Sequence, residues 1–206
     1  MSEVGEASAR PRIVLASASP RRSELLLQIG LRFTVQPTDI DESERPGEDP
    51  VSYVQRLAVG KVMAAGADAE VDHAQLFVAA DTTVDIDGQI LAKPEDDDDA
   101  RRMLGLLSGR THQVHTGVAV RFQGHVSSMV CTSSVTMAVL GAELIDWYIG
   151  TGEPHGKAGA YAIQGAAAML VTEVQGSVTN VIGLPLHLLD QLFDDVGISL
   201  VRLLTP

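Results

Sequence analysis

Hydrophobic and polar positions change period several times along this chain, and each change marks an element. Residues 13–16 are an unbroken apolar run, Ile13 to Ala16, of the length of a buried strand. From Pro20 the period lengthens. Leu25, Leu26 and Ile29 recur at helical spacing, Ser19 stands at the N-cap position, Pro20 suits the first turn and Gly30 stops the helix. Residues 32–36 alternate like a short strand. Residues 37–50 have no apolar period and carry Asp39, Asp41, Glu42, Glu44 and Glu48 among prolines and a glycine, which predicts a loop. Val54, Leu57, Ala58 and Val62 then repeat at offsets of three and four, predicting a helix over 51–65.

Residues 76–80 are the most apolar short run, a strand expected to deliver Asp81 at its end. A hairpin over 84–92 turns at Asp87 and Gly88, a dipeptide that tolerates the positive φ of a tight turn. The helix over 95–107 opens on Asp96 to Asp99, whose charge opposes the positive end of the helix dipole. Two longer strands alternate over 112–122 and 126–139 around Gly124. A helix over 142–149, a glycine-rich loop over 150–159, a strand over 168–174, a helix over 186–196 and a last strand over 198–203 follow. Strands and helices interleave and hairpins also occur, so the fold expected is α/β, with a mixed sheet flanked by helices. Residues 1–11 are small and polar and are expected to fray, leaving one domain over 12–206.

Composition narrows the classes. With 45 % apolar and 20 % charged residues the chain is an ordinary globular protein. A formal net charge of −12 argues against nucleic acid or an anionic membrane as partner, but a few local cations can still hold a small anion. The single cysteine, Cys131, excludes an intrachain disulfide and fits a reducing compartment. Residues 1–10 are too polar for a signal peptide, and no apolar run approaches the ~20 residues of a membrane span. The expected setting is the cytoplasm.

The chemistry concentrates in two places. The strand over 13–16 runs into small hydroxyl residues and then Pro20, Arg21 and Arg22, a helix start bearing two cations and suited to phosphate. Asp81, behind the second apolar run, can hold a metal or activate water. Together they point to an enzyme acting on a phosphate ester or anhydride. Lys93, before Pro94, is held near a strand end. The acidic loop offers Glu42 as a second carboxylate for Mg²⁺ or Mn²⁺. Gln164 presents an amide donor and acceptor, the pair that matches the N3–H and O4 edge of uracil or thymine. His112 and His115, three apart on a strand, point to opposite faces and make no zinc pair. The segment 150–157 fails as a phosphate-binding P-loop, because Ala158 stands where that motif needs Ser or Thr.

Six motifs occur in order: LASASPRRSELL from Leu15, ADTTV from Ala80, Lys93-Pro94, LSGRTH from Leu107, KAGAYAIQG from Lys157 and NVIGLPL from Asn180. In this set the chain resembles the Maf family, once called septum-formation inhibitors, over nearly its whole length. The resemblance implies a homodimeric, metal-dependent nucleoside triphosphate pyrophosphatase with an elongated two-lobed α/β fold related to inosine triphosphatases. It implies Asp81 as proton acceptor, Asp81 and Glu42 around Mg²⁺ or Mn²⁺, and Ser17, Arg21, Arg22, Lys61 and Lys93 around the triphosphate. Arg21, Thr82 and Gln164 fall where the family sets base preference, and Thr82 and Gln164 look like the branch acting on dTTP and UTP. Two other readings stay open at this stage, a 7-methyl-GTP pyrophosphatase and a nucleotide-binding regulator of cell division. The chain departs from the family at Val62, inside a helix, and at Gly156, where a common aspartate is missing.

Overall fold

The structure, a computed structural model, describes residues 10–67 and 74–204. Of the extension expected to fray, residues 1–9 lie outside the described residues. The strands are β1 (Arg12–Leu15), β2 (Thr34–Val35), β3 (Gln75–Ile86), β4 (Gln89–Leu91), β5 (Thr111–Phe122), β6 (His125–Met137) and β7 (Val171–Gln175). They form one sheet in the order β2-β1-β3-β5-β6-β7, with β4 also on β3. β1 is parallel to β2 and β3; every other pairing is antiparallel, so the sheet is mixed as expected. The helices are α1 (Pro20–Gln28), α2 (Pro50–Ala65), α3 (Asp97–Leu107), α4 (Ala142–Gly150), α5 (Val178–Ile182), α6 (Leu189–Asp195) and α7 (Leu200–Leu204).

Strand alternation sorts the core into two faces. On one, Ala58, Val62 and Ala65 of α2 pack against Val14, Phe77, Ala79 and Ala119. On the other, Leu25 and Leu26 of α1 and Leu192 and Phe193 of α6 cover Leu76, Val78, Val118 and Val120. Farther along the sheet, α3 and α4 bury Leu104, Leu107 and Tyr148 with Val84, Val114 and Val135. Each fully buried leucine of this kind contributes about 1.5–3 kcal/mol. α2 lies unusually close to the sheet. A Cβ on Gly117 would stand 2.3 Å from the Val54 carbonyl oxygen, so only glycine permits this approach.

Local signals behave as chemistry requires. Asp49 caps α2, accepting from Val51 N and Ser52 N at 3.0 Å each, and Asp96 caps α3, accepting from Asp99 N at 2.8 Å. The hairpin turns at Asp87 and Gly88, with φ of 55° and 80°. Ser19 takes the N-cap position of α1, but its hydroxyl makes no capping bond.

Three expectations change. The run over 198–203 is helical at its end: Leu200, Leu203 and Leu204 repeat at three and four and pack with the α6 cluster. The segment over 186–196 is a 3-10 turn, Leu186–Leu188, followed by α6. Asp81 does not end a strand, because β5 pairs with β3 past it, Asp81 facing Gly117 and Asp85 facing Gln113. The consequence for function lies on β3's opposite edge. β1 pairs with β3 only as far as Val78, and β4 pairs only from Val84 onward. Residues 79–83 thus present an edge flanked by two strands and covered by neither.

Candidate active site

A cleft of about 1020 Å³ opens on that uncovered edge. Because successive side chains alternate across a sheet, Asp81 and Thr82 leave β3 toward opposite faces and line the cleft from both. On the α2 side, Asp81 is 9 % exposed and its Oδ1 accepts from Lys61 Nζ at 2.6 Å. Lys61, buried on α2, also reaches Glu42 Oε1 at 2.7 Å, and Lys93 Nζ lies 3.9 Å from Glu42 Oε2. Burial pushes the Glu42 carboxyl up, but the Lys61 ammonium, with Lys93 and Arg22 behind it, outweighs that and holds it below its ordinary value.

On the α1 side, the chain leaving β1 brings Ser17, Arg21 and Arg22 to the cleft. Arg22 is its hub: Nε donates to Gly183 O at 2.9 Å, Nη1 to Ser17 Oγ at 2.9 Å and Nη2 to Thr82 Oγ1 at 3.2 Å. Thr82 Oγ1 lies 3.0 Å from Thr116 Oγ1, and Thr116 donates to Asn180 O at 3.0 Å. Asn180, wholly buried, donates to Val114 O and Ser133 Oγ, both at 2.9 Å. Sequence reasoning passed over Thr116 and assigned Asn180 no role, although Asn180 opens one of the six motifs. Desolvation draws the Arg22 guanidinium below its usual range, against the pull of Asp81.

Arg21 faces the same cleft, also lowered by desolvation. The third wall is the segment from Glu153 to Gly165, which brings Lys157 and Gln164 to the cleft. Gln164 is exposed there. Desolvation and the nearby Arg21 charge lower Lys157. Arg21, Arg22, Lys61, Lys93 and Lys157 thus line a cleft that holds four carboxylates, reversing locally the field of a chain of net charge −12. All nine residues singled out from the sequence line this one cleft. His112 and His115 do not: His112 Nε2 meets Tyr161 Oη at 2.8 Å and His115 Nδ1 meets Thr132 Oγ1 at 2.8 Å, away from each other.

Asp81 and Glu42 converge on one ammonium and supply hard oxygen donors, a set that suits Mg²⁺ or Mn²⁺. Among the described residues no group of three or more His, Cys, Asp or Glu side chains could hold a metal ion unaided. Water and substrate phosphates must complete such a shell, as is usual for Mg²⁺.

A mixed sheet with a cation-rich cleft, a buried carboxylate at an open strand edge and a second carboxylate on the loop beside it defines an α/β protein built for a polyphosphate-like anion. Residues 12–196 match the family described as Maf-like protein, and the chain belongs to that family. A protein of Anaeromyxobacter dehalogenans named dTTP/UTP pyrophosphatase is 52 % identical over 180 residues, 85 % of this chain and 89 % of that protein. One of the same name from Bordetella parapertussis is 47 % identical over 207 residues, covering 97 % and 99 % of the two chains. Among solved structures, the Ham1 protein of Staphylococcus aureus superposes with a TM-score of 0.46 at 17 % identity, over 62 % of this chain and 72 % of the other.

Proposed function

We propose that this protein hydrolyses dTTP and UTP to the nucleoside monophosphate and pyrophosphate. The observation that carries the reading is the Asp81–Lys61–Glu42 cluster set across one strand edge from the Arg22 cradle. The names of relatives about half identical to the chain support the pyrimidine substrates.

In this reading Ser17 and the Arg22 fork hold phosphate oxygens, while Arg21, Lys93 and Lys157 balance the remaining charge. Glu42 and Asp81 hold Mg²⁺ or Mn²⁺, which when bound neutralises charge on the reacting phosphate. Asp81 accepts the proton of the attacking water as its oxygen bonds to the α-phosphorus; the bond to the bridging oxygen breaks and pyrophosphate leaves. Lys61 keeps Asp81 oriented for that role, since charge-assisted hydrogen bonds are the strong ones. Gln164 reads the pyrimidine edge. The working form is a cytoplasmic homodimer whose catalytic unit runs from residue 12, with light scattering as the check on its mass.

Pyrophosphate release from dTTP, UTP, GTP and 7-methyl-GTP, with Mg²⁺ or Mn²⁺, tests the reading beside Asp81→Asn. Turnover of dTTP and UTP is expected, falling by about 10²-fold or more in the variant. Turnover confined to 7-methyl-GTP overturns the substrate, and near-normal rates in Asp81→Asn overturn the base.

A further inference from the structure

Gln164 itself lies in irregular backbone of the cleft wall, in neither a strand nor a helix. Gln164 stands between the 3-10 turn Ala158–Ala160 and the 3-10 turn Ala166–Met169. Its neighbour Gly165 adopts φ 108° and ψ −152°, a conformation that fixes nothing by itself and that side chains disfavour. Such a segment needs an outside anchor if an amide on it is to discriminate bases.

Two side chains supply that anchor, Glu153 and Tyr148. Both carboxylate oxygens of Glu153 accept from Ala166 N, at 2.9 and 3.0 Å, two residues beyond Gln164. The fit is tight, since a Cβ on Gly165 would meet Glu153 Oε1 at 2.7 Å. Glu153 is fixed in turn: its N–H donates to Thr151 Oγ1 at 3.1 Å, and that hydroxyl donates to Tyr148 O at 2.6 Å at the end of α4. Tyr148 is fully buried in the core and its hydroxyl accepts from Ala162 N at 3.4 Å, before Gln164. The Gln164 segment is therefore gripped on both sides from α4, by the Tyr148 hydroxyl upstream and the Glu153 carboxylate downstream.

We infer that Glu153 is a positioning residue for base selectivity, holding Gln164 at the depth where its amide meets the pyrimidine edge. The inference rests on the reading that Gln164 contacts the base. Glu153 transfers no proton and touches no phosphate in this account. It converts the rigidity of α4 into the placement of one amide, and a displacement of about an ångström at such a group costs as much as 10²-fold.

Steady-state kcat and KM for dTTP, UTP and GTP are measured in Gln164→Ala, Glu153→Ala, Glu153→Gln and Ala166→Pro. Ala166→Pro removes the donated N–H from the other side of the contact, at a first-turn position that proline tolerates. It serves where Glu153→Ala does not fold. In Glu153→Ala and Ala166→Pro the ratio of kcat/KM for dTTP over GTP is expected to fall about tenfold, mainly through KM for dTTP. Glu153→Gln keeps an acceptor oxygen and should recover most of that ratio. A purely structural role lowers all three substrates together; an unchanged ratio in Glu153→Ala and Ala166→Pro, with a lowered one in Gln164→Ala, overturns the inference alone. An unchanged ratio in Gln164→Ala overturns the base reading itself and the inference with it.

Discussion

Lys61 occupies an unusual place for a helix lysine, 7 % exposed and in contact with two carboxylates. Removing either member of the buried Lys61–Asp81 pair would leave the other as an uncompensated buried charge, which is strongly destabilising. The sign of the effect on Glu42 is testable. Its carboxyl is held below the ordinary 4.5, so the stability and order it lends are present above that value and fade as pH falls through the depressed one. Lys61→Gln removes the leading cation and leaves burial to push Glu42 up. The acid limb of the pH–rate profile is expected to move to higher pH in that variant, with the Glu42 carboxyl resonance moving alike. An unmoved limb means the pair does not set the acid behaviour. Arg22→Lys is no gentler a change in principle, since a single ammonium cannot replace a fork that serves Gly183, Ser17 and Thr82 together.

At the scale of elements, the distance between α2 and the sheet decides whether Lys61 reaches Asp81 at all. That distance is set at Gly117, where a Cβ would lie 2.3 Å from Val54 O and 2.9 Å from Gln55 N, backbone atoms that cannot turn aside. Gly117→Ala is expected to cost about 1–3 kcal/mol of stability and to lower kcat by separating the Lys61–Asp81 pair. Denaturant melts and turnover on the same preparation check both; a variant of native stability and rate denies that α2 is seated by this contact. Elements of this kind were legible beforehand. α1, α2 and α3 have full amphipathic turns, the latter two with side-chain caps, and β5 and β6 alternate for a dozen residues, so their periods carry the assignment. α5 and α7 have five residues each, too few for a period to declare itself. The placement of Asp81 was misread for a related reason: Asp81, Thr82 and Thr83 look like the polar end of a strand until β5 is seen pairing alongside. The ion pair of Lys61 and Asp81 is a tertiary fact, which motif resemblance implied only as two residues of one site. Glu153 had no local signal at all, because its importance lies in an amide thirteen positions away.

For the whole molecule, the cleft depends on keeping the sheet and the 158–166 wall together, and one buried contact between them titrates. His112 on β5 is 2 % exposed, meets the Tyr161 hydroxyl at 2.8 Å and stacks edge-on to that ring at 5.4 Å. Burial lowers the imidazole from 6.5 to about 4 and pushes the phenol up, so both groups are neutral across the physiological range. Below pH 6.5 the unfolded chain takes up a proton that the folded one refuses. Stability present above pH 6.5 is therefore lost as pH falls to about 4, to a total of about 3 kcal/mol at 1.36 kcal/mol per pKa unit, and levels off below. The Glu42 contribution fades only below 4.5, so the stability tied to His112 begins to fall at a higher pH than that tied to Glu42. Urea melts of the protein and of His112→Gln at pH 7 and pH 4.5 separate the two. The variant should begin less stable and lose less on acidification, because glutamine keeps a polar contact with Tyr161 and takes up no proton. Equal losses in both proteins would remove His112 as the source and leave the early acid response to the exposed carboxylates.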